Sequence, residues 1–447
     1  MLHHFWCSIF LLFSLLFAQF FVTLPDNWKL MKDMTALSKY WEYITVAFLA
    51  IVVFCFWLFL YPFVPVTREM SVLFLWNTDY LMERLAVPGG LAQYLGEGVA
   101  QFFLNPFNAA LVYAVLFVIA QQLMSHLLLR FFPNIKSKVR VPLSLLPSCL
   151  FWYLAMQPRV PLTPTVAALL VMGVGCLVMG VGAKRIRLVV LCLLIPVMYW
   201  LTGPLAVLLV LCSIRWILLT GVLFAASLLG SSYLTPYPLS QVATGIDYCW
   251  SDTKKMGTFE EMECDMLMRQ HRWNDILQKF KSPESPAVRS AWLYAYHQTG
   301  QMGINEFLAK IAPPQANFQQ EPSVFCIGDL HFVVYFGTLS SAFMVSDLAF
   351  NIFWPNIAQR AAFEAMEYIP NYNKSARALK TLTELCIITE QYALARKYLS
   401  ILDETTFYSG WAKRMRTLVD NPKLIDQNPF FKKSRESYQN TEDLFFI

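Results

Sequence analysis

The sequence predicts an all-α protein in which a polytopic bundle of membrane helices precedes a soluble domain of helical repeats. Three observations lead to this prediction. Of the 447 residues, 57% are apolar and only 15% are charged, whereas about a quarter of the residues in soluble domains are charged. Apolar runs of membrane-spanning length fill the first half of the chain. The second half is more polar and has the periodicity of amphipathic helices.

The distribution of charge divides the chain near residue 235. Met1–Leu234 holds 14 Lys and Arg against 7 Asp and Glu, while the rest of the chain holds 21 and 23. We therefore assign residues 1–42 to an extra apolar segment with a cytoplasmic linker, 43–234 to the transmembrane bundle and 235–447 to the soluble domain. No basic stripe or RNA-binding signature accompanies this balance, so nucleic acid is not an expected partner.

Several apolar runs are long enough to cross a hydrocarbon core of about 30 Å. They are Phe5–Val22, Tyr43–Val64, Phe107–Leu129, Val141–Met156, Leu162–Val181, Ile186–Leu201 and Leu205–Leu229. The first run has three interpretations: a signal sequence, an additional membrane helix, or sequence upstream of a natural start at Met31. In each case the lysines of the following linker place that linker in the cytoplasm.

Two basic linkers predict the orientation of the bundle. Arg130–Arg140 contains four basic residues and Lys184–Arg187 contains three, and neither contains an acid. Because cytoplasmic loops are enriched in Lys and Arg, both linkers are expected in the cytoplasm. The loop near Pro158–Thr163 is then outside.

Arg215 is the single charged residue of the apolar stretch Leu201–Gly230. If Leu205–Leu229 were one helix, Arg215 would lie near the bilayer centre at a cost of about 2.5–3.5 kcal/mol, and the soluble half would be cytoplasmic. If the chain turns at Ser213–Trp216, Arg215 reaches the cytoplasmic headgroups and the soluble half is outside. The sequence favours the turn, and therefore a periplasmic soluble domain on a multi-pass bacterial inner-membrane protein.

The segment 66–105 is outside the membrane core but too hydrophobic for a free loop. Its pattern predicts two interfacial helices that are interrupted at Pro88–Gly90. A solvated helix face explains the carboxylates of this segment. The alternative is that Glu69 or Asp79 serves as a base or a metal ligand at a site in the outer leaflet.

The soluble half contains a repeat pattern at about residues 339–412. Two groups of residues have the small-residue and helix-end spacing of tetratricopeptide repeats, and equivalent alanines lie 37 residues apart. They are Ala358, Ala365 and Pro370 in one unit, and Leu382, Tyr392 and Ala395 in the next. Small residues are needed where the two helices of a hairpin cross closely. Such arrays usually hold a peptide or a protein partner.

Motifs for cofactors and metals are not found in the sequence. Its cysteines and histidines lack metal-ligand spacing, and nucleotide-binding and hydrolase signatures are missing. We therefore predict no cofactor and no metal site, and the sequence leaves enzymatic activity undecided.

Three stretches resemble a family of uncharacterised membrane proteins from Bacteroidetes. They are Tyr80–Phe117, Arg269–Gln301 and Ala361–Leu402. The family pairs a multi-span N-terminal half with a helical-repeat C-terminal half, so the resemblance implies this architecture but no activity or catalytic residue.

The order of spans and outer helices is also similar to that of the C-type glycosyltransferases. That similarity implies an acidic residue after the first core span, here Glu69 or Asp79, and a polyprenyl-linked sugar as substrate. Our first hypothesis is nevertheless an inner-membrane protein, in contact with the lipid bilayer, that presents its repeats to a protein partner in the envelope. The glycosyltransferase is the alternative.

Overall fold

The computed structural model describes residues 34–250, 256–311, 325–327, 330–332, 337–369 and 374–440. Most of these residues are helical, which confirms the predicted all-α class. The chain forms two units, Met1–Phe48 and Leu49–Ile447. In the first unit only the start of helix α1 (Met34–Cys55) is described, so the predicted run Phe5–Val22 is outside the described residues.

Within the described residues, five helical segments are long and apolar enough to cross a membrane. They are Trp41–Leu60, Pro106–Phe131, Thr163–Gly180, Lys184–Cys212 and Ile217–Leu234. By length and composition, the protein is therefore a multi-span membrane protein.

The first half of the chain continues after α1 as a series of helices. They are α2 (Phe63–Met70), α3 (Thr78–Leu85), α4 (Gly90–Ala100), α5 (Pro106–Phe131), α6 (Ser137–Ser144), α7 (Leu146–Ala155), α8 (Thr163–Gly180), α9 (Lys184–Thr202), a 3-10 segment (Gly203–Trp216), α10 (Ile217–Leu234) and α11 (Leu239–Thr244). A π-helical turn, Phe56–Leu60, follows α1, and a 3-10 turn, Gln101–Leu104, precedes α5.

The predicted run Val141–Met156 is not one continuous helix. The break falls at Leu145, shortly before Pro147, which has no N–H to donate within a helix. The chain therefore forms two short helices, α6, which contains Pro142, and α7. The pair nevertheless packs along α5, where Ser148 Oγ donates a hydrogen bond of 2.7 Å to the Phe117 carbonyl. It therefore returns the chain to the end at which α5 begins.

The stretch around Arg215 is also not a single helix. Gly203, whose φ is +72°, ends α9, and the 3-10 segment then packs on α8 and α9. It brings Cys212 beside Gly175 in the middle of α8. Helix α10 begins after Trp216.

Helix α10 returns to the end of the bundle at which α9 finishes. Ser231 Oγ donates a hydrogen bond of 3.2 Å to Tyr199 Oη, one turn before the end of α9. The 14 residues of the 3-10 segment and the 18 of α10 span about 28 Å and 27 Å at about 2.0 and 1.5 Å per residue. The backbone thus forms a hairpin, with Arg215 in the last turn of its first arm. The side of the membrane on which this turn lies stays a prediction.

The bundle therefore has two ends with different chemistry. We call one the docking end: there α5 and α8 begin and α7, α9 and α10 finish. The basic end is opposite, and holds the linkers Arg130–Arg140 and Lys184–Arg187. The chain leaves the bundle at the docking end, where the Trp250 N–H donates to the Arg159 carbonyl at 2.9 Å.

The segment predicted to hold interfacial helices contains α3 and α4, and the break between them, Ala86–Gly89, overlaps the predicted one at Pro88–Gly90. Gly89 has a φ of +92° and donates its N–H to the Trp200 carbonyl at 2.8 Å. A Cβ at Gly90 would lie 1.8 Å from the Arg84 carbonyl oxygen. The glycines are therefore required by a tight turn that also joins the two helices to the end of α9.

The described part of the second half is a succession of short helices with two short strands. The elements are α12 (Phe259–Arg269), α13 (Trp273–Lys279), α14 (Pro286–Gln298), α15 (Ile304–Ile311), β1 (Phe325–Ile327), β2 (Leu330–Phe332), α16 (Leu339–Asn351), α17 (Pro355–Glu367), α18 (Ala376–Ile388), α19 (Tyr392–Asp403), α20 (Ser409–Asp420), a 3-10 turn (Pro422–Gln427) and α21 (Pro429–Gln439). The strands pair antiparallel.

Four pairs of these helices, from α12/α13 to α18/α19, are joined by the same turn. A residue with positive φ is followed by an N–H that donates to the carbonyl five residues earlier, which is the Schellman arrangement. In these four turns, the residues with positive φ are His271, Gly300, Phe353 and Glu390. In the last pair, the Gln391 N–H donates to the Cys386 carbonyl at 2.8 Å.

The last two of these hairpins repeat at a fixed interval. Helices α16 and α18 begin at Leu339 and Ala376, and α17 and α19 begin at Pro355 and Tyr392. Both intervals are 37 residues, the offset that the sequence indicates for the alanines of the repeat.

The residues predicted to pack within the repeats are mostly buried. Ala358, Ala365, Leu382 and Ala395 are at most 1% exposed, Tyr392 is half-buried, and Pro370 is outside the described residues. Whether these hairpins are tetratricopeptide repeats stays a prediction.

Candidate functional site

Glu69, one of the two predicted catalytic candidates, lies at the end of α2 and is only 1% exposed. Its Oε1 accepts a hydrogen bond of 3.2 Å from Tyr408 Oη, and its Oε2 has no partner among the described residues. Burial raises the pKa of Glu69, although the charges of Arg269 and Arg377 and the Tyr408 hydroxyl act in the opposite direction. Glu69 is thus part of the contact between the two halves of the chain.

Asp79, the other candidate, is exposed in the first turn of α3. An acid in the first turn of a helix is stabilised by the partial positive charge of the unpaired N–H groups. Between Glu69 and Asp79 the described structure has no hydrogen bond or ion pair. Glu69 is thus buried at the contact with the soluble half, whereas Asp79 faces solvent.

This placement bears on the catalytic hypothesis. A general base must come within hydrogen-bond reach of its substrate, directly or through one water. Glu69 is covered by Tyr408 and the surrounding helices, so it could reach a lipid-linked sugar only after the two halves separate. A catalytic role for Glu69 or Asp79 stays a prediction.

A loop of the soluble half lies directly on the segment that follows α2. We call this loop, residues 404–408, the docking loop. The Trp76 N–H donates to the Glu404 carbonyl at 2.9 Å, and Trp76 Nε1 donates to Thr406 Oγ1 at the same distance. Asn77 Nδ2 donates to the Glu404 carboxylate. The docking end and the soluble half are therefore joined by specific polar contacts.

Arg68 fastens the other side of α2 to the bundle. It is 1% exposed, and its Nη2 donates to the Ala155 and Gln157 carbonyls at 3.0 and 3.1 Å. Its Nη1 donates to Tyr113 Oη. Because the last carbonyls of a helix have no partner within the helix, Arg68 satisfies the end of α7. Helix α2 thus lies between the bundle and the soluble half.

The centre of the soluble contact with α2 is Arg377 of α18, which is 6% exposed. Its guanidinium forms two parallel bonds with Asp265 of α12, at 2.7 and 2.8 Å, and one of 2.5 Å with Asp347 of α16. It also lies 4.5 Å from the Phe343 ring centroid and contacts Met70 Sδ. Arg377 therefore joins three helices of the soluble half to the end of α2.

Polar side chains continue from Arg377 across neighbouring helices. Lys380 Nζ lies 5.6 Å from the Trp411 ring centroid in α20. Burial raises the pKa of Glu384 to about 7, while the charge of Lys380 lowers it and that of Asp347 raises it further. We call this set the polar stripe; its members are Asp265, Asp347, Arg377, Lys380, Glu384 and Trp411. It holds both signs of charge and an aromatic ring, and one of its carboxyls titrates near neutral pH.

Comparison with known protein families now identifies the chain. A family of unknown function, DUF6057, matches residues 39–447. The chain belongs to this family. The predicted resemblance to an uncharacterised family is thereby confirmed, and the match covers both the bundle and the soluble half. Neither a curated protein nor a solved structure matches the DUF6057 chain.

Sequence reasoning missed the charged members of the polar stripe in this DUF6057 protein. Arg377 meets Asp265 across 112 residues and Asp347 across 30, so spacing does not indicate either pair. A weaker signal was present. Asp265 and Arg377 each interrupt an otherwise apolar helix face, and a charge at such a position is usually paired when it is buried.

A second buried cluster holds α3 against α4. Glu97 is 4% exposed and accepts hydrogen bonds from Tyr80 Oη at 2.6 Å, Arg84 Nε at 2.9 Å and Gln93 Nε2 at 3.0 Å. Burial raises the pKa of Glu97, and these donors lower it. Because each of its carboxylate oxygens has a donor, the cluster is explained by the packing of the two helices.

An open cleft of about 460 Å³ lies between the turn after α12 and the end of α14. Its walls include Trp273, Asn274 and Gln298, together with Arg272 and Asp275. The last two residues pair with each other at 2.5 Å. The charges of this cleft are therefore already neutralised, and we place the candidate site of the DUF6057 chain at the polar stripe.

Proposed function

We propose that this DUF6057 protein is an inner-membrane protein of the Bacteroidetes envelope that holds its helical hairpins on the periplasmic side, where they bind a protein partner. The observation that carries the proposal is the contact of the soluble half with the docking end. It leaves part of the polar stripe half-buried, on helices that belong to a repeated hairpin array.

The distribution of basic residues supports the orientation. Both basic linkers are at the basic end of the bundle, and the soluble half contacts α2 at the docking end. Because basic linkers are retained in the cytoplasm, the docking end is expected to face the periplasm. The hairpin formed by the 3-10 segment and α10 gives the same result, since it returns the chain to the docking end.

The contact between the soluble half and the bundle suits a protein that holds a binding surface in a fixed position. The docking loop, Glu69 and Arg377 hold the soluble half through buried or paired polar groups. Breaking such groups apart would leave them without partners, which is costly in a buried setting. The contact thus fixes the position of the hairpin array relative to the bundle.

The array itself supports recognition of a protein. Stacked hairpins form an extended surface whose usual task is to bind a peptide or a protein. The half-buried members of the polar stripe, Asp347, Lys380, Glu384 and Trp411, belong to three neighbouring helices. Partly exposed tryptophans are frequent centres of binding energy in protein interfaces. A segment with an apolar anchor between charged residues fits this surface.

Site-specific photo-crosslinking in cells tests the proposal. Benzoylphenylalanine replaces Trp411 or Lys380 in the full-length chain, and the matched control replaces Lys397, which is exposed on α19. We expect the same protein adduct from the first two positions and none from the third. The substitution Glu384→Lys should weaken the adduct at Lys380. Identical adducts at all three positions, or no protein adduct at Trp411 and Lys380, would contradict the proposal.

A further inference from the structure

Three aromatic side chains form an exposed edge where the docking loop meets the bundle. The rings of Phe407 and Phe102 meet edge to face, with centroids 5.5 Å apart. Phe407 is 40% exposed, Phe102 is 43% and Trp76 is 63%. The indole N–H of Trp76 is already donated to Thr406, so its exposed ring needs no polar partner.

This aromatic edge lies at the level where a membrane span begins. The candidate span of α5 starts at Pro106, four residues after Phe102. Exposed apolar side chains follow along α5 at intervals of four residues, which places them on one face of the helix. They are Phe107, Leu111, Val115 and Ile119. Such a face is expected to contact lipid chains, and the aromatic edge adjoins the end of this face at which α5 begins.

Exposed basic residues follow the docking loop closely in the chain. Lys413 and Arg414 are exposed on α20, whose first residue is Ser409. They are about one turn from the start of the helix, or about 6–8 Å along its axis. Long basic side chains near a membrane surface can reach phosphate groups while their stems remain over apolar surface.

We propose that the soluble half binds the lipid surface directly, by inserting Phe407 into the interface and by placing Lys413 and Arg414 near anionic phospholipid headgroups. Aromatic side chains are enriched at this depth, where their rings are partly buried and their edges are wet. Basic residues add electrostatic attraction to anionic lipid. The docking loop would then have two contacts, Trp76 on the bundle and phospholipid beside it. This proposal is independent of the protein partner of the polar stripe.

The occupant is lipid and not a second protein because the edge is continuous with the apolar face of α5. A protein on this edge would have to share the surface with the lipid chains that cover Phe107 and Leu111. The nearby charges at Lys413 and Arg414 have the sign that complements phosphate.

Photo-crosslinking to lipid provides the test, with a closely matched control. Benzoylphenylalanine replaces Phe407 in the full-length chain, and the control replaces Phe363, a 45% exposed phenylalanine of α17, which packs on α16, α18 and α21. Each protein is reconstituted in nanodiscs with equal amounts of phosphatidylglycerol and phosphatidylcholine, irradiated and analysed by peptide mass spectrometry. We expect several-fold more phospholipid adduct at Phe407 than at Phe363, with phosphatidylglycerol preferred.

The double substitution Lys413→Ala and Arg414→Ala should remove the preference for phosphatidylglycerol without removing the adduct. If the probe at Phe407 prevents folding, the same probe at Phe102 replaces it, since the two rings are in contact. Equal phospholipid yields at the aromatic edge and at Phe363, or protein adducts without phospholipid adducts at the edge, would overturn the proposal.

Discussion

Tyr408 Oη donates a hydrogen bond of 3.2 Å to the carboxylate of Glu69, which lies 339 residues earlier in the chain. The two residues belong to opposite sides of the contact between α2 and the soluble half, and both are buried. Each side chain is the hydrogen-bond partner of the other, and burial raises the pKa of both. The link therefore joins the bundle to the soluble half at a point that solvent does not reach.

Removing the hydroxyl of Tyr408 should destabilise this contact. Tyr408→Phe leaves Glu69 buried without a donor, at an expected cost of about 1–3 kcal/mol. Glu69→Gln retains an acceptor for Tyr408 and should cost less. Thermal unfolding of the full chain in detergent, followed by the reactivity of the buried thiols Cys264 and Cys386, measures the difference. Tyr398→Phe, in α19, is the control, and an equal loss in the control would show that the Tyr408 bond has no special role.

Arg377 should be the most sensitive position of the polar stripe. Arg377→Met leaves Asp265, which is fully buried, without its cation, so we expect a loss of about 3–5 kcal/mol in the free energy of unfolding. Asp347→Asn should cost less, because the Asp347 side chain is 25% exposed. Denaturant titration of the full chain gives this ranking. Equal losses for the two variants would contradict the assignment of Asp265 as the principal partner.

The Arg377 effect should also be non-additive. Asp265→Leu combined with Arg377→Met removes both charges, and should restore part of the stability lost in Arg377→Met alone. The same denaturant titration measures the recovery. If the double variant loses as much free energy of unfolding as the two single variants together, or more, the ion pair does not account for the loss.

The raised pKa of Glu384 predicts that the stability of the protein depends on pH. Its pKa is raised from 4.5 to about 7 in the folded protein, so the folded state retains its proton more strongly than the unfolded state. The contribution to stability is therefore fully present below pH 4.5 and is lost as the pH rises towards 7. Glu384→Gln should flatten this part of the profile, while Glu436→Gln, an exposed residue of α21, should not. An unchanged slope in Glu384→Gln would refute the prediction.

Two of the hairpin turns predict opposite effects on stability, one when a glycine is introduced at the residue with positive φ and one when a glycine is removed there. His271 has a φ of +54°, where a side chain is strained, so His271→Gly should stabilise the soluble half by about 1 kcal/mol. Gly300 has a φ of +75°, and a Cβ added at this position would meet no other atom within 4 Å. Gly300→Ala should therefore destabilise by a similar amount through backbone strain alone. Thermal unfolding of both variants provides the measurement, and changes of the same sign would contradict the shared geometry.

The spans and the helical class follow from the sequence because apolar length and periodicity are local properties. The interruption of Val141–Met156 is also local, since Pro147, at the start of the second helix, is visible in the sequence. The division near Arg215 is less evident. The residues Gly203–Trp216 do not themselves indicate a 3-10 segment in place of an α-helix. In the structure this segment packs against α8 and α9.

The hairpin turns and the candidate site are harder to predict. Only Gly300 of the four positive-φ residues in the hairpin turns is a glycine, so the usual sequence signal for a helix end is missing at His271, Phe353 and Glu390. The partners of Arg377 come from distant helices, and Glu69 acquires its partner only when the soluble half folds onto α2. Its sequence position indicates a surface carboxylate, and tertiary packing makes it a buried one.

Cysteine labelling in cells tests the central claim, which is that the hairpins lie in the periplasm and the basic linkers in the cytoplasm. In a chain without its native cysteines, Lys281→Cys reports on the soluble half and Lys138→Cys on the basic end; both lysines are exposed. In cells with a permeable outer membrane, a membrane-impermeant maleimide should label position 281 and leave position 138 unlabelled. Labelling of position 138 with protection of position 281, or protection of both, would place the hairpins in the cytoplasm and contradict the account.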